Sequence, residues 1–220
     1  MAYSAISTPA NIGDIVYHSV TERQLIINIA TGKMEFPVAG KNSILLYGIY
    51  GTGKTTLARL LPDAIEQGKG GDSSDYSYFA CQQGQHGAQA MAKIHNIAQL
   101  ISSTYSGYHY FVLDEVDNWT DAALASLKSV MNLPQTIFIL TTNHIGRIDR
   151  GVLNRSVRVD FNAAPATEWL PFARRVINDS SGRPVADDLL LPIIDSCDGS
   201  VREIVEAMQR IAAEQQALTV

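Results

Sequence analysis

The sequence predicts an α/β domain with a mostly parallel sheet, followed by a small helical appendage. Two observations carry this expectation. Short apolar runs alternate with segments of helical period up to about residue 163, the pattern of repeated strand–helix units. After Pro165 three helical segments succeed one another with no strand between them. A length of 220 residues suits one large domain, or one domain with such an appendage.

The elements follow in order. Residues 1–40 are broken by Pro9, Gly13, Gly32 and Pro37, with a short helix expected around Leu25–Ile29. Ser43–Tyr47 reads as a buried strand ending at Gly48. A Gly-rich turn leads into a helix from Lys54 to Leu61, stopped near Pro62. Gly68 to Ser74 is a surface loop, and Tyr76–Cys81 is a second, β-prone strand. Ala90, Ile94, Ile97, Ala98 and Ile101 recur at helical spacing, which predicts a helix over Gly87–Ser103. Tyr110–Leu113 is a third buried strand, running into Asp114-Glu115. A helix over Asp121–Met131 turns Leu124, Leu127 and Met131 to one face. Thr136–Thr141 is the fourth strand, leading to Thr142-Asn143, and Val157–Phe161 alternates as a short fifth. Helices are expected over Glu168–Asn178, Asp187–Ser196 and Ser200–Ala217.

Composition excludes several classes. With 46% hydrophobic and 18% charged residues, a largely disordered chain is ruled out. No apolar run approaches the roughly 18 residues of a membrane-spanning helix, so no membrane partner is expected. Met1 to Pro9 has neither a basic region nor an apolar block, so no signal peptide is expected. Cys81 and Cys197 stand in unrelated contexts and form no disulfide framework or metal motif, which suits a reducing, cytoplasmic compartment. The net charge of −5 removes any whole-chain electrostatic argument for nucleic acid. DNA contact would have to be local or shared among subunits, and Lys93, His95 and Lys128 make only a weak basic stripe. The aromatics Tyr105, Tyr108, Tyr110 and Phe111 read as core and strand rather than as a base-stacking platform.

The chemistry is concentrated in two motifs. Gly48-Ile49-Tyr50-Gly51-Thr52-Gly53-Lys54-Thr55 matches G-x-x-x-x-G-K-[ST] between a strand and a helix. Glycines let backbone N–H groups turn inward around phosphate oxygens, and the following helix aims its positive end at the anion. Gly48, Gly51, Thr52, Gly53, Lys54, Thr55 and Thr56 are therefore the candidate nucleotide-binding set. Lys54 supplies a point charge to the β/γ-phosphates, and the Thr55 hydroxyl is a ligand for Mg²⁺. The second motif is the apolar strand Tyr110–Leu113, which delivers Asp114 and Glu115 to the edge where ligands collect in parallel sheets. Asp114 would hold Mg²⁺, directly or through water, and Glu115 would polarise the attacking water.

With these motifs the chain resembles the AAA+ ATPases over roughly residues 10–215, and within them the small subunits of clamp loaders (replication factor C and the DNA polymerase III loader). Asp14-Ile15-Val16 resembles the N-terminal segment beside adenine, which implies base contacts from Ile15 and Val16. Asp114–Thr120 resembles the extended Walker B motif, and Phe138–Asn143 the strand that ends in a sensor 1 residue, here Asn143. Ile148–Arg155 resembles the stretch carrying the arginine finger, which assigns Arg155 to the site of a neighbouring subunit. Gly199–Glu203 resembles the sensor 2 motif, which gives Arg202 to the chain's own nucleotide.

The resemblance implies a P-loop NTPase fold: a three-layer AAA+ ATPase core over residues 1–163 with a parallel five-stranded sheet, and a helical lid over residues 164–220. It implies a homo- or hetero-oligomer, a ring or spiral, that hydrolyses ATP with Mg²⁺ in a DNA replication or recombination transaction. The expected partners are DNA through the assembly and a clamp, helicase or recombinase.

The sequence also departs from the clamp-loader pattern. The finger triplet is Asn154-Arg155-Ser156 rather than Ser-Arg-Cys, and Tyr17 stands where a glycine often follows Asp-Ile-Val. Cys81–Gly84 holds the glutamines Gln82 and Gln83 where a polar switch residue is common, and no switch is assigned. His18 lies near the expected adenine edge and reads as a packing or surface residue. No helical collar follows the lid before Val220, so helicase loaders, transposition regulators and protein-remodelling ATPases remain open. The polar stretch Gln82–Gly87 argues mildly against polypeptide threading.

Overall fold

Five parallel strands form one sheet in the order β2-β3-β4-β1-β5, in a computed structural model that describes residues 8–82, 87–181 and 183–217. The strands are β1 (Ser43–Tyr47), β2 (Tyr76–Ala80), β3 (His109–Asp114), β4 (Thr136–Thr142) and β5 (Ser156–Asp160). Helices α1 (Val20–Ala30) and α2 (Lys54–Gly68) cover one face. Helices α3 (Gly87–Ala98), α4 (Asp121–Val130) and α5 (Arg150–Asn154) cover the other. This is the three-layer, five-stranded P-loop NTPase arrangement that the sequence predicts.

The period-2 geometry of a strand explains why the central strands are apolar throughout. In β3, Tyr110 and Val112 enter the core under α1 and α2, while Phe111 and Leu113 enter the core under α3 and α4. Ile44 and Leu46 of β1 alternate with Leu45 in the same way, as do Ile137 and Ile139 of β4 with Phe138 and Leu140. Burial on both faces fixes register, because a one-residue slip would exchange the two cores.

Several boundaries differ from expectation. Helix α2 does not stop at Pro62 but continues to Gly68. An internal proline costs about 3 kcal/mol. Leu57, Leu61 and Ile65 are each at most 1% exposed on the core face, and each contributes roughly 1.5–3 kcal/mol. Their burial outweighs the proline. Helix α3, by contrast, ends at Ala98 rather than Ser103, and Ile101 is 99% exposed. There Ser102 and Thr104 both donate to the Tyr108 carbonyl, at 2.9 and 2.8 Å, which favours a loop over another helical turn. The short α5 has no apolar stripe long enough to predict it.

Helices α6 (Ala166–Ser181), α7 (Asp187–Asp195) and α8 (Val201–Ala217) pack on an apolar cluster of their own, centred on Trp169, Ile177, Leu190, Ile194, Ile204 and Met208. Val16 packs against this cluster from the N-terminal segment. No described helix is long and apolar enough to cross a membrane.

Candidate functional site

The turn between β1 and α2 is shaped by close backbone contacts. Gly48 lies so near β5 that a Cβ would sit 2.4 Å from the Phe161 carbonyl carbon. Gly51 has φ +81°, and a Cβ there would meet Ser200 Oγ at 2.8 Å. Its carbonyl accepts the backbone N–H of Val201 at 2.9 Å, which joins the turn to the start of α8. No side chain caps α2, so its first N–H groups and positive dipole end remain available to an anion.

Lys54 is buried at the start of α2, and its ammonium donates to the carbonyls of Gly48 at 3.0 Å and Ile49 at 2.5 Å. Burial pulls its pKa down from 10.5 to about 8, against the opposing pull of Asp114, Asp117 and Glu115. The Thr55 hydroxyl donates to Asp114 Oδ1 at 2.8 Å. Phosphate oxygens would compete for Lys54 with the two carbonyls it now satisfies.

Asp114 ends β3, and Glu115 follows with φ +59°, a left-handed conformation uncommon outside glycine. Thr141 of β4 pins this junction. Its hydroxyl donates to Asp114 Oδ1 at 2.6 Å and accepts the Glu115 N–H at 2.8 Å. Asn118 Nδ2 donates to Glu115 Oε2 at 3.1 Å and to the Cys81 carbonyl at 3.0 Å. The side chain on Glu115 thus comes from the turn after β3. Of the glutamines after β2, Gln82 is described and Gln83 is not, because residues 83–86 lie outside the described residues. Asn143 follows β4, and its backbone N–H donates to the buried Asp117 carboxylate at 3.3 Å.

A cavity of about 290 Å³ opens between the sheet and the C-terminal helices. Gly51, Thr52, Gly53, Lys54, Thr55 and Thr56 line one side, with Glu115, Thr141 and Asn143 beside them. Ile15 and Val16 form an apolar end with Trp169, Phe172 and Val205, and Arg202 at the start of α8 also lines the cavity. Asp114 stands behind Thr55. Gly48 lies outside the lining and shapes the turn instead. The sequence reading missed Thr141, Asn118 and the apolar wall from α6 and α8. For Thr141 a signal was present: a hydroxyl at the end of an otherwise apolar buried strand.

Arg155 is elsewhere. It precedes β5, and its carbonyl accepts the Ser43 N–H at the amino end of β1, one strand length from the Gly48 turn. Its Nε donates to Asn132 Oδ1 and one terminal nitrogen to the Gly151 carbonyl, both at 2.9 Å. Among the described residues these bonds use two of its five N–H donors. His18 Nδ1 lies 2.8 Å from the Ala163 carbonyl, so it ties the N-terminal segment to the chain leaving β5. Of the basic stripe, Lys128 pairs with Asp149 at 3.2 Å and Lys93 lies 5.6 Å from the Phe79 ring centroid. Tyr110 and Phe111 are core, whereas Tyr105 is 77% exposed.

Residues 44–163 match the family profile described as the ATPase family associated with various cellular activities, AAA. The chain belongs to the AAA family. This AAA chain is 28% identical over 178 residues to replication factor C small subunit 2 of Pyrobaculum islandicum, covering 80% of this chain and 55% of that protein. It is 28% identical to replication factor C subunit 4 of Caenorhabditis elegans, covering 77% of this chain and 52% of that one. The AAA chain therefore spans about half the length of the curated relatives it matches. Among solved structures, the Thermotoga maritima RuvB Holliday junction branch migration motor superposes with a TM-score of 0.68 at 15% identity, over 98% of this chain and 68% of that one. A RuvB variant from the same organism gives 0.71 at 15% identity, over 97% and 68%. These structural likenesses concern the AAA fold.

Proposed function

We propose that this chain is an oligomeric, Mg–ATP-dependent AAA+ ATPase of clamp-loader type that couples hydrolysis to a DNA replication or recombination transaction. The observation that carries this reading is a division. Lys54, Thr55, Glu115, Asn143 and Arg202 line one cavity, while Arg155 lies at the far end of the sheet. The replication factor C relatives support the DNA transaction.

On this reading residues 1–163 are the ATPase core and 164–220 the lid, with ATP between them. Ile15 and Val16 would face the base, and Gly51–Thr56 the phosphates. Gly48 would serve by letting the turn close against β5. The oxygen set of Thr55 and Asp114, 2.8 Å apart beside the cavity, fits a small hard cation. Bound there, Mg²⁺ would neutralise charge on the phosphates. Glu115 would take the proton of the attacking water, and Asn143 would hold that water or the γ-phosphate without titrating. Arg155 would act in a neighbouring copy's site, and Arg202 in its own.

The test is steady-state ATP hydrolysis at low salt without DNA, with single-stranded DNA and with primed duplex. The proposal expects stimulation by DNA, strongest on primed duplex. Stimulation by single strands alone would favour helicase loading. Hydrolysis indifferent to every DNA would overturn the DNA transaction and direct the search to a protein partner.

A further inference from the structure

The edge strand β2 adds a residue to the phosphate site that the functional reading leaves unused. Tyr78 stands mid-strand, in register with Val112 of β3, and its hydroxyl donates to Asp114 Oδ2 at 2.7 Å. The other oxygen, Oδ1, accepts from both Thr55 and Thr141. A carboxylate oxygen offers about two acceptor positions. Oδ1 is therefore filled by two hydroxyls, and Oδ2 retains one position for a cation or its water. Tyr78 sets where that position points.

The ring of Tyr78 is itself held. Arg59 Cζ lies 4.3 Å from the ring centroid, within cation–π range. Thr55 and Arg59 are four residues apart on α2 and so share one helix face. That single face touches the carboxylate through Thr55 and the phenol through Arg59. The metal pair is thus braced from α2, β2 and β4 together.

We propose that Tyr78 is a positioning residue for the divalent cation, orienting Asp114 Oδ2 while Arg59 fixes its ring. The inference rests on the assignment of Thr55 and Asp114 as the metal pair. Groups that orient a metal ligand without touching the metal are commonly worth 10–100-fold in metal affinity. A phenol donor also draws some charge from the carboxylate, which opposes binding, so the sign of the effect discriminates orientation from competition.

The experiment uses the full chain and a fluorescent ADP analogue, with anisotropy followed in EDTA and through a Mg²⁺ titration. Tyr78→Phe keeps the ring and removes only the hydroxyl. It should raise the Mg²⁺ midpoint about tenfold, while affinity in EDTA stays within about twofold. Arg59→Met, which keeps the hydroxyl, should shift the midpoint the same way by roughly two- to threefold. Asp114→Asn is the reference for the metal pair. If Asp114→Asn moves the midpoint but Tyr78→Phe leaves it unchanged or lowers it, the positioning role is overturned and the metal pair stands. If Asp114→Asn also leaves it unchanged, the metal assignment fails first and takes this inference with it.

Discussion

The two ends of the sheet are built for different tasks. At the carboxyl ends of β1, β3 and β4, the polar groups are tightly cross-connected: Thr55, Tyr78 and Thr141 all donate to Asp114, and Thr141 also holds Glu115. At the amino end of β5, half-buried Arg155 is held by two hydrogen bonds to Asn132 and Gly151. On the proposed reading the first end holds the groups of a copy's own phosphate site, Lys54 and Arg202 included. On the same reading the second end holds Arg155, the cation that a neighbouring copy's site would receive. Head-to-tail association of identical copies would supply each from the other, a heterologous contact of the kind that closes rings or extends into spirals.

The largest expected effect breaks this division directly. Arg155→Ala should lower ATP turnover by about 10³-fold or more while leaving nucleotide affinity nearly unchanged. Equilibrium binding and steady-state hydrolysis together check it, and wild-type turnover would remove Arg155 from catalysis. Mixing inactive Glu115→Gln with Arg155→Ala sharpens the point. In mixed oligomers one class of junction regains both groups, so activity should return. Failure to recover it in demonstrably mixed assemblies counts against catalysis shared between copies.

A smaller effect concerns the carboxyl end alone. Lys54 has its pKa lowered to about 8 by burial, and on the proposed reading phosphate binds its protonated form. Below pH 8 the ammonium is already formed, so affinity should be flat with respect to this group. Above pH 8 each unit should cost up to about tenfold in nucleotide affinity, until the higher pKa of the complex is reached. Folding stability of the nucleotide-free protein should run the other way. The unfolded chain binds a proton up to its ordinary 10.5, so stability should rise between about pH 8 and 10.5. Fluorescent-nucleotide titrations in EDTA from pH 7 to 10 test the first trend, and Lys54→Met should abolish both.

The same contrast explains how much was legible in the sequence. The Gly48–Thr55 motif lies in consecutive residues, and Glu115 directly follows Asp114 at the end of β3, so local reading finds these candidates. The fold class was legible for a similar reason: strands buried on both faces cannot hide their apolar runs. Tyr78 was not legible, because a tyrosine in a β-prone segment looks like ordinary strand until sheet register sets it beside Asp114. Helix ends were the weakest part. Pro62 signals a stop that long-range burial overrides, and Ile101 keeps helical spacing where side-chain hydrogen bonding ends the helix. In both cases a tertiary contribution larger than the local one decides.

The smallest effect tests whether the bracing at the carboxyl end serves catalysis beyond holding the fold. Thr141→Val preserves side-chain shape but removes the donor to Asp114 and the acceptor for the Glu115 N–H. Asp114 keeps Thr55 and Tyr78, so the main loss falls on the backbone N–H of left-handed Glu115. Leaving one such donor unsatisfied costs about 1–3 kcal/mol. For a chain of this size the melting temperature should drop by roughly 2–12 °C. If Thr141 only stabilises the junction, turnover measured well below the melting point should match wild type. If it aims Glu115, turnover should fall about tenfold with nucleotide affinity unchanged. The second pattern is expected, because Thr141 accepts the backbone N–H of Glu115, the carboxylate proposed to activate water.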